Sequence, residues 1–194
     1  MKKYSLILLF LAIHFKSLQA QIKLPGTISN FALDMEKIVR DFPNGFKNIM
    51  GDLIVENPQS ADYTSKINPA GSLNCSITRY SSLNKEINSW QSLLFASNDF
   101  MQTERKFKSV YNQLNNLSVR FNDGQQYKFK GVYEKPTEDK RFFHVIFAPA
   151  TEDKNLMHLK IELMMAYEMM EWRIQVLVYE SERKDDERGR VIEF

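Results

Sequence analysis

Apolar residues fall at Ile28, Phe31, Ala32, Met35, Ile38, Val39 and Phe42, just after the Pro25-Gly26 pair. Steps of three and four are those of one helical face. The run predicts an amphipathic helix, stopped by Pro43, Asn44 and Gly45. A second helix is predicted from Asp99 onward. Asp99 is a capping residue, and Gln102 stands where a capping box returns the bond. Phe100, Phe107, Val110, Tyr111, Leu114 and Leu117 form its apolar stripe, and Glu104 and Lys108 add an i, i+4 pair on the other face.

Elsewhere the signals are those of short strands. Phe46–Glu56, Asp62–Ile67, Leu73–Tyr80 and Ile87–Ala96 are strand candidates, with Asn57-Pro58 and Asn68-Pro69-Ala70-Gly71 as turn signals between them. Asn122-Asp123-Gly124 is a hairpin-type turn. After it, Tyr127, Phe129 and Tyr133 alternate with Lys128, Lys130 and Glu134, as in a half-buried strand.

The tetrapeptide Thr-Glu-Asp-Lys occurs twice, at 137–140 and 151–154, each time after a proline (Pro136 and Pro149). Between the copies lies Arg141–Ala148, a strand candidate. The two copies read as loops at the two ends of that strand, about 25 Å apart at about 3.3 Å per residue. That distance argues against a shared site, and neither copy has calcium-loop spacing. Phe143, Val145 and Phe147 point to one face of the strand, and Phe142, His144 and Ile146 to the other. Both faces are mainly apolar, so the second is expected to be covered by more chain, a partner or a ligand.

The segment Leu156–Met170 fits two periods. Leu159, Ile161, Leu163, Met165 and Tyr167 alternate as in a strand, while Leu156, Leu159, Leu163, Tyr167 and Met170 fit a helix. The strand is preferred, because Trp172, Ile174, Val176 and Val178 then form its partner in a hairpin turning near Glu168–Met170.

The resulting fold class is α+β: a mostly antiparallel sheet of eight or nine strands, strongly bent or in two parts, with two main helices on one side. Residues 21–180 form one domain on this reading, with two helix-plus-four-strand halves as pseudo-repeats over 27–97 and 98–180. The rhythm resembles that of exported interaction proteins built from duplicated α+β units, secreted enzyme inhibitors among them. Topology of this kind does not carry function.

The beginning of the chain changes where such a domain would work. Lys2 and Lys3 precede an apolar Tyr4–Phe15 and a small, polar Ser17–Ala20, the layout of a cleaved signal peptide over residues 1–20. The apolar run is short of the ~20 residues that span a bilayer. Leu18 is an imperfect −3 residue, and an uncleaved anchor is the alternative. Cleavage after Ala20 removes three lysines and no acid, so one net negative charge remains. Such a chain offers no electrostatic case for nucleic acid, and no transmembrane segment remains in it. Residues 181–194 form a charged tail, expected to be flexible. One cysteine, Cys75, allows no internal disulfide and is expected to be buried.

Chemistry adds little. No phosphate loop, Gly-x-Ser-x-Gly, His-Glu-x-x-His or Cys-x-x-Cys occurs, and no catalytic, cofactor-binding or metal-ligating set is assigned. His144 and His158 lie on neighbouring strand candidates, offset by about three residues. His144 is expected to be hydrogen-bonded and His158 solvated. Trp90 and Trp172 are expected to be buried, as are most of Met164, Met165, Met169 and Met170. The expectation is an exported, non-enzymatic protein of the bacterial cell envelope, periplasmic or secreted, that binds another envelope protein or a second copy of itself. Phe142, His144, Ile146 and Met164 are its candidate contact residues. A periplasmic carrier of a small hydrophobic ligand is the alternative.

Overall fold

The computed structural model describes residues 30–81, 86–121, 124–151 and 153–181. The signal-peptide and tail expectations, and Asn122-Asp123, lie outside these residues. Helix α1 (Asn30–Arg40) leads through a 3₁₀ turn at Phe42–Asn44 into strands β1 (Met50–Asn57), β2 (Ser60–Ser65), β3 (Asn74–Ser81) and β4 (Glu86–Ser97). Helix α2 (Phe100–Asn115) is followed by β5 (Ser118–Arg120), β6 (Gln126–Lys130), β7 (Phe142–Pro149), β8 (Leu159–Glu168) and β9 (Glu171–Glu180). All nine strands belong to one open sheet in the order β1-β2-β3-β4-β9-β8-β7-β6-β5, antiparallel throughout. The architecture is α+β.

The helices form for the expected reasons. On α1 the stripe Phe31, Met35, Ile38 and Val39 is buried, while Asp34–Lys37 and Glu36–Arg40 pair on the outer side. At the start of α2, Asp99 accepts a hydrogen bond from the Gln102 N–H at 3.0 Å. The return bond is relayed. Gln102 Oε1 accepts from the Ser97 hydroxyl, which in turn accepts from the Asp99 N–H. Glu104 reaches Lys135 at 3.7 Å, not the expected Lys108. Thr103, Phe107, Val110 and Leu114 are buried on this helix.

The strands follow the period of two. In β7, Phe143, Val145 and Phe147 are buried and Phe142, His144 and Ile146 are exposed. In β8 and β9 every second residue from Leu159 to Met165 and from Trp172 to Val178 is buried. These residues share one core with the buried stripes of both helices. The ambiguous Leu156–Met170 is therefore largely strand, because that period lets it pair on both sides, with β7 and β9. Cys75 is buried and meets the Ser92 hydroxyl at 3.2 Å, and Trp90 and Trp172 are buried as expected.

The two Thr-Glu-Asp-Lys copies lie at opposite ends of β7 and build turns with their own side chains. A hydrogen bond from Thr137 holds the Asp139 carboxyl below the usual carboxylate range. In the second copy the Asp153 N–H donates to Thr151 Oγ1, and the Asn155 N–H donates to Asp153 Oδ1. Pro149 lies inside β7, opposite Phe129, where the sheet nears its edge. Strand β6 ends at Lys130, just before Gly131. A Cβ there would sit 2.6 Å from Val145 Cγ1 and 3.0 Å from the Ile146 carbonyl, so only glycine lets the chain pass this close over β7.

The β8–β9 hairpin turns on Met169 and Met170, with φ of 51° and 66°. Two consecutive left-handed residues form the I′-type pattern that suits Asn-Gly rather than methionine. The paired expectation that these methionines fill the core is corrected: both are 81% exposed, because the sheet ends beneath the tip. Met165 is in the core, and Met164 is half-buried on the opposite face. Replacing Met169-Met170 by Asn-Gly is expected to stabilise the protein by about 1 kcal/mol, since relief of left-handed strain outweighs the added chain entropy of glycine. Equilibrium urea unfolding checks this, and an unchanged or lowered midpoint contradicts it.

Candidate functional site

The candidate contact residues come together on the outward face of β7, β8 and β9. His144 lies opposite Met164, which lies opposite Gln175; Phe142 is in register with Ala166 and Arg173; Ile146 is in register with Glu162 and Leu177. Phe142 is 47% and Ile146 43% exposed. The face was expected to be covered by more chain, a partner or a ligand; the described residues leave Phe142 and Ile146 exposed on it. The buried stripes of both helices belong to the same core cluster as Phe143, Val145 and Phe147.

A polar network crosses this face diagonally. His144 Nδ1 lies 2.8 Å from Glu162 Oε1, and the Tyr179 hydroxyl donates to Glu162 Oε2 at 3.0 Å. An ionised carboxylate only accepts, so Nδ1 carries the proton and Nε2 is left free of this bond. The His144 ring also rests near the Phe142 ring, with centroids 5.5 Å apart. The Glu162 side chain is only 15% exposed. Burial pushes the Tyr179 hydroxyl up to about 12, helped by repulsion from Glu162 and by the bond it donates.

Chemically, this is an imidazole oriented by a carboxylate. Its same-face neighbours by register are Phe142, Ile146, Met164 and Glu162. Among the described residues no group of three or more His, Cys, Asp or Glu side chains could hold a metal ion. His158 does not approach His144. Counting across the hairpin places His144 opposite Ile161, whereas Phe147 is the partner of Ile161 and His144 pairs with Met164. The connection from Ala150 to His158 takes up the difference. Glu162, Tyr179 and Leu177 were not singled out by sequence reading, since only the true register brings Glu162 beside His144.

No helix among the described residues is long and apolar enough to cross a membrane. No protein-family model, curated protein or solved structure matches the chain.

An unfolded tyrosine ionises near 10, so the folded state holds the Tyr179 proton more tightly. The linked stability is complete below pH 10 and is lost as the pH rises through about 12. Ultraviolet difference titration of the wild type against Tyr179→Phe is expected to show this late ionisation. Glu162→Gln is expected to move it back toward 10; an unmoved titration would show that Glu162 does not act on Tyr179.

Proposed function

We propose that the protein is an exported, non-enzymatic component of the bacterial cell envelope that docks another envelope protein on the outward face of β7–β9. The observation that carries this reading is an exposed apolar pair, Phe142 and Ile146, beside half-buried Met164 and Leu177, around a carboxylate whose two oxygens are both hydrogen-bonded. A partner can cover such a face without stranding Glu162, and leaving a buried polar group without a partner is what makes burial costly. Exposed methionines at the hairpin tip supply an adaptable rim. Export rests on the Lys2-Lys3, Tyr4–Phe15 and Ala20 pattern of the sequence.

We read the sheet as two helix-plus-strand halves whose helices cross the inward face and leave the outward face for a partner. Side chains fill the space between helices and sheet: Trp90, Phe46, Phe107, Phe129 and Phe147 have no solvent exposure. That filling is the support for preferring docking to the carriage of a small hydrophobic ligand.

Native mass spectrometry of the protein taken from its own envelope tests the reading. A complex with a second protein is expected, with a chain mass that fits cleavage after Ala20. Phe142→Asp should weaken that complex at least tenfold, while its unfolding midpoint stays within about 1 kcal/mol of wild type. Loss of folding would make this face core, and a bare monomer would remove the docking reading.

A further inference from the structure

The register gives the outward face of β7–β9 a two-fold pattern. His144, Met164 and Gln175 form one row across the three strands. On β7 the exposed Phe142 and Ile146 stand two residues to either side of that row. On β8, Lys160 and Glu168 stand four residues to either side of Met164. The period of two puts both on the same face as Met164, each about 13 Å from it at about 3.3 Å per residue. The apolar pair is thus symmetric about the row, and the charged pair is opposite in sign about it.

The other charges that alternation puts on this face are matched within the chain. Glu162 is held by His144 and Tyr179. Arg173 Nη2 lies 2.8 Å from Glu171 Oε1. Among the described residues, neither Lys160 nor Glu168 has an ionic partner. Glu168 is exposed and stands directly opposite Glu171, at the last pair of the β8–β9 ladder. Like charges directly opposite each other destabilise a sheet. A cation brought to Glu168 from outside would relieve that pair.

A second copy of this chain supplies what both charges need. A two-fold axis lying across the strands, along the His144–Met164–Gln175 row, turns the face over and reverses each strand. Lys160 of one copy then comes to the level of Glu168 of the other, and the reverse contact forms as well. Phe142 comes to the level of Ile146 of the second copy, so the two exposed apolar residues cover each other. Met164 meets its own copy, where a flexible thioether can adjust. Gln175 meets its own copy too, and its amide brings both a donor and an acceptor. Every contact occurs twice, as in any isologous pair, and two-fold dimers are the commonest closed assemblies. Two sheets packed face to face lie about 10 Å apart, with strands within about 30° of one line, which keeps these levels together near the axis. We propose that the outward face is the interface of a two-fold homodimer, in which the sheets of two copies stack with Lys160 of each against Glu168 of the other. This rests on the docking reading above and names the docked protein as a second copy of the chain.

Sedimentation equilibrium of the purified protein, as processed by its own cell, tests this. A dimer is expected, with a dissociation constant below about 10 μM. Glu168→Lys removes the repulsion from Glu171 within one copy but sets like charges together across the interface. It should therefore weaken the dimer at least about tenfold without lowering the unfolding midpoint. Lys160→Glu should weaken the dimer similarly. The double reversal, Lys160→Glu with Glu168→Lys, should return it to within about threefold of wild type. Phe142→Asp should weaken it at least about tenfold. A dimer indifferent to Phe142→Asp, or single reversals that the double reversal does not rescue, overturns the proposal. A monomeric purified protein also overturns it. If a different protein is then found bound in the envelope and is lost with Phe142→Asp, the homodimer falls and the docking reading stands. If none is found, both fall.

Discussion

The pairing of β4 with β9 holds the sheet together. Every other strand contact joins neighbours along the chain, whereas this one joins the last strand of the first meander to the last strand of the second. It sets Trp90 opposite Val178 and Ser97 opposite Trp172. Closing such a distant pair costs chain entropy before any contact rewards it. The reward is concentrated at the seam. Trp90 has no exposed surface, and its indole N–H donates to Ser65 Oγ at 3.0 Å, which ties the seam to β2. A bulge between Leu93 and Phe95 lets Leu94 be buried and Phe95 pack against the core in succession. It also sets the phase in which β4 reaches Ser97 and Asp99, so the cap of α2 depends on the same irregularity.

What was legible in the sequence was what is local. The stripe of α1, the Asp99 cap, the alternation in β7 and β9 and the turn at Met169-Met170 depend on residues within one element or one hairpin. What was not legible depends on register or on what lies opposite. Gln102 fits a capping box by spacing, yet its partner is Ser97, which only the end of β4 places there. The β7–β8 connection is long enough to shift the pairing by three residues, and that hid the His144–Glu162 contact. Exposure of the Phe142 face is a property of the whole topology, because alternation states which residues share a face and not whether anything covers it.

The two faces of β7–β9 solve different problems. The inward face is apolar and close-packed, with Ile161, Leu163, Ile174 and Val176 fully buried. The outward face carries Glu162 and Tyr179 among Ile146, Met164 and Leu177. A lone carboxylate at 15% exposure is poorly hydrated, and His144 and Tyr179 replace the missing water. The network also fixes side-chain positions that three separate strands contribute. A surface ordered before contact loses less freedom when it is covered. The edge strand β1 is different. Leu53, Ile54 and Val55 are all exposed there, and two register shifts against β2 interrupt the flat ladder that another strand would need as a template.

Backbone strain is distributed in a way that follows this division. Left-handed φ at residues other than glycine occurs, among the described residues, at Phe46, Met169 and Met170. Met169 and Met170 precede β9, and Glu180 at the other end of β9 lines a cleft walled by the Phe46 turn. The two strained places are thus about 30 Å apart along one strand at about 3.3 Å per residue. Neither is needed to make the sheet: a hairpin turn could use Asn-Gly, and a helix-to-strand connection has many unstrained forms. Strain persists only where its surroundings hold it. At Phe46 those surroundings are the core beneath the ring and the Asp41 hydrogen bonds behind the turn. At the hairpin tip they are only the ladder of β8 and β9, and both side chains stand in solvent. The Phe46 turn is therefore the strained feature held from several sides, and the methionine tip the one held by its hairpin alone.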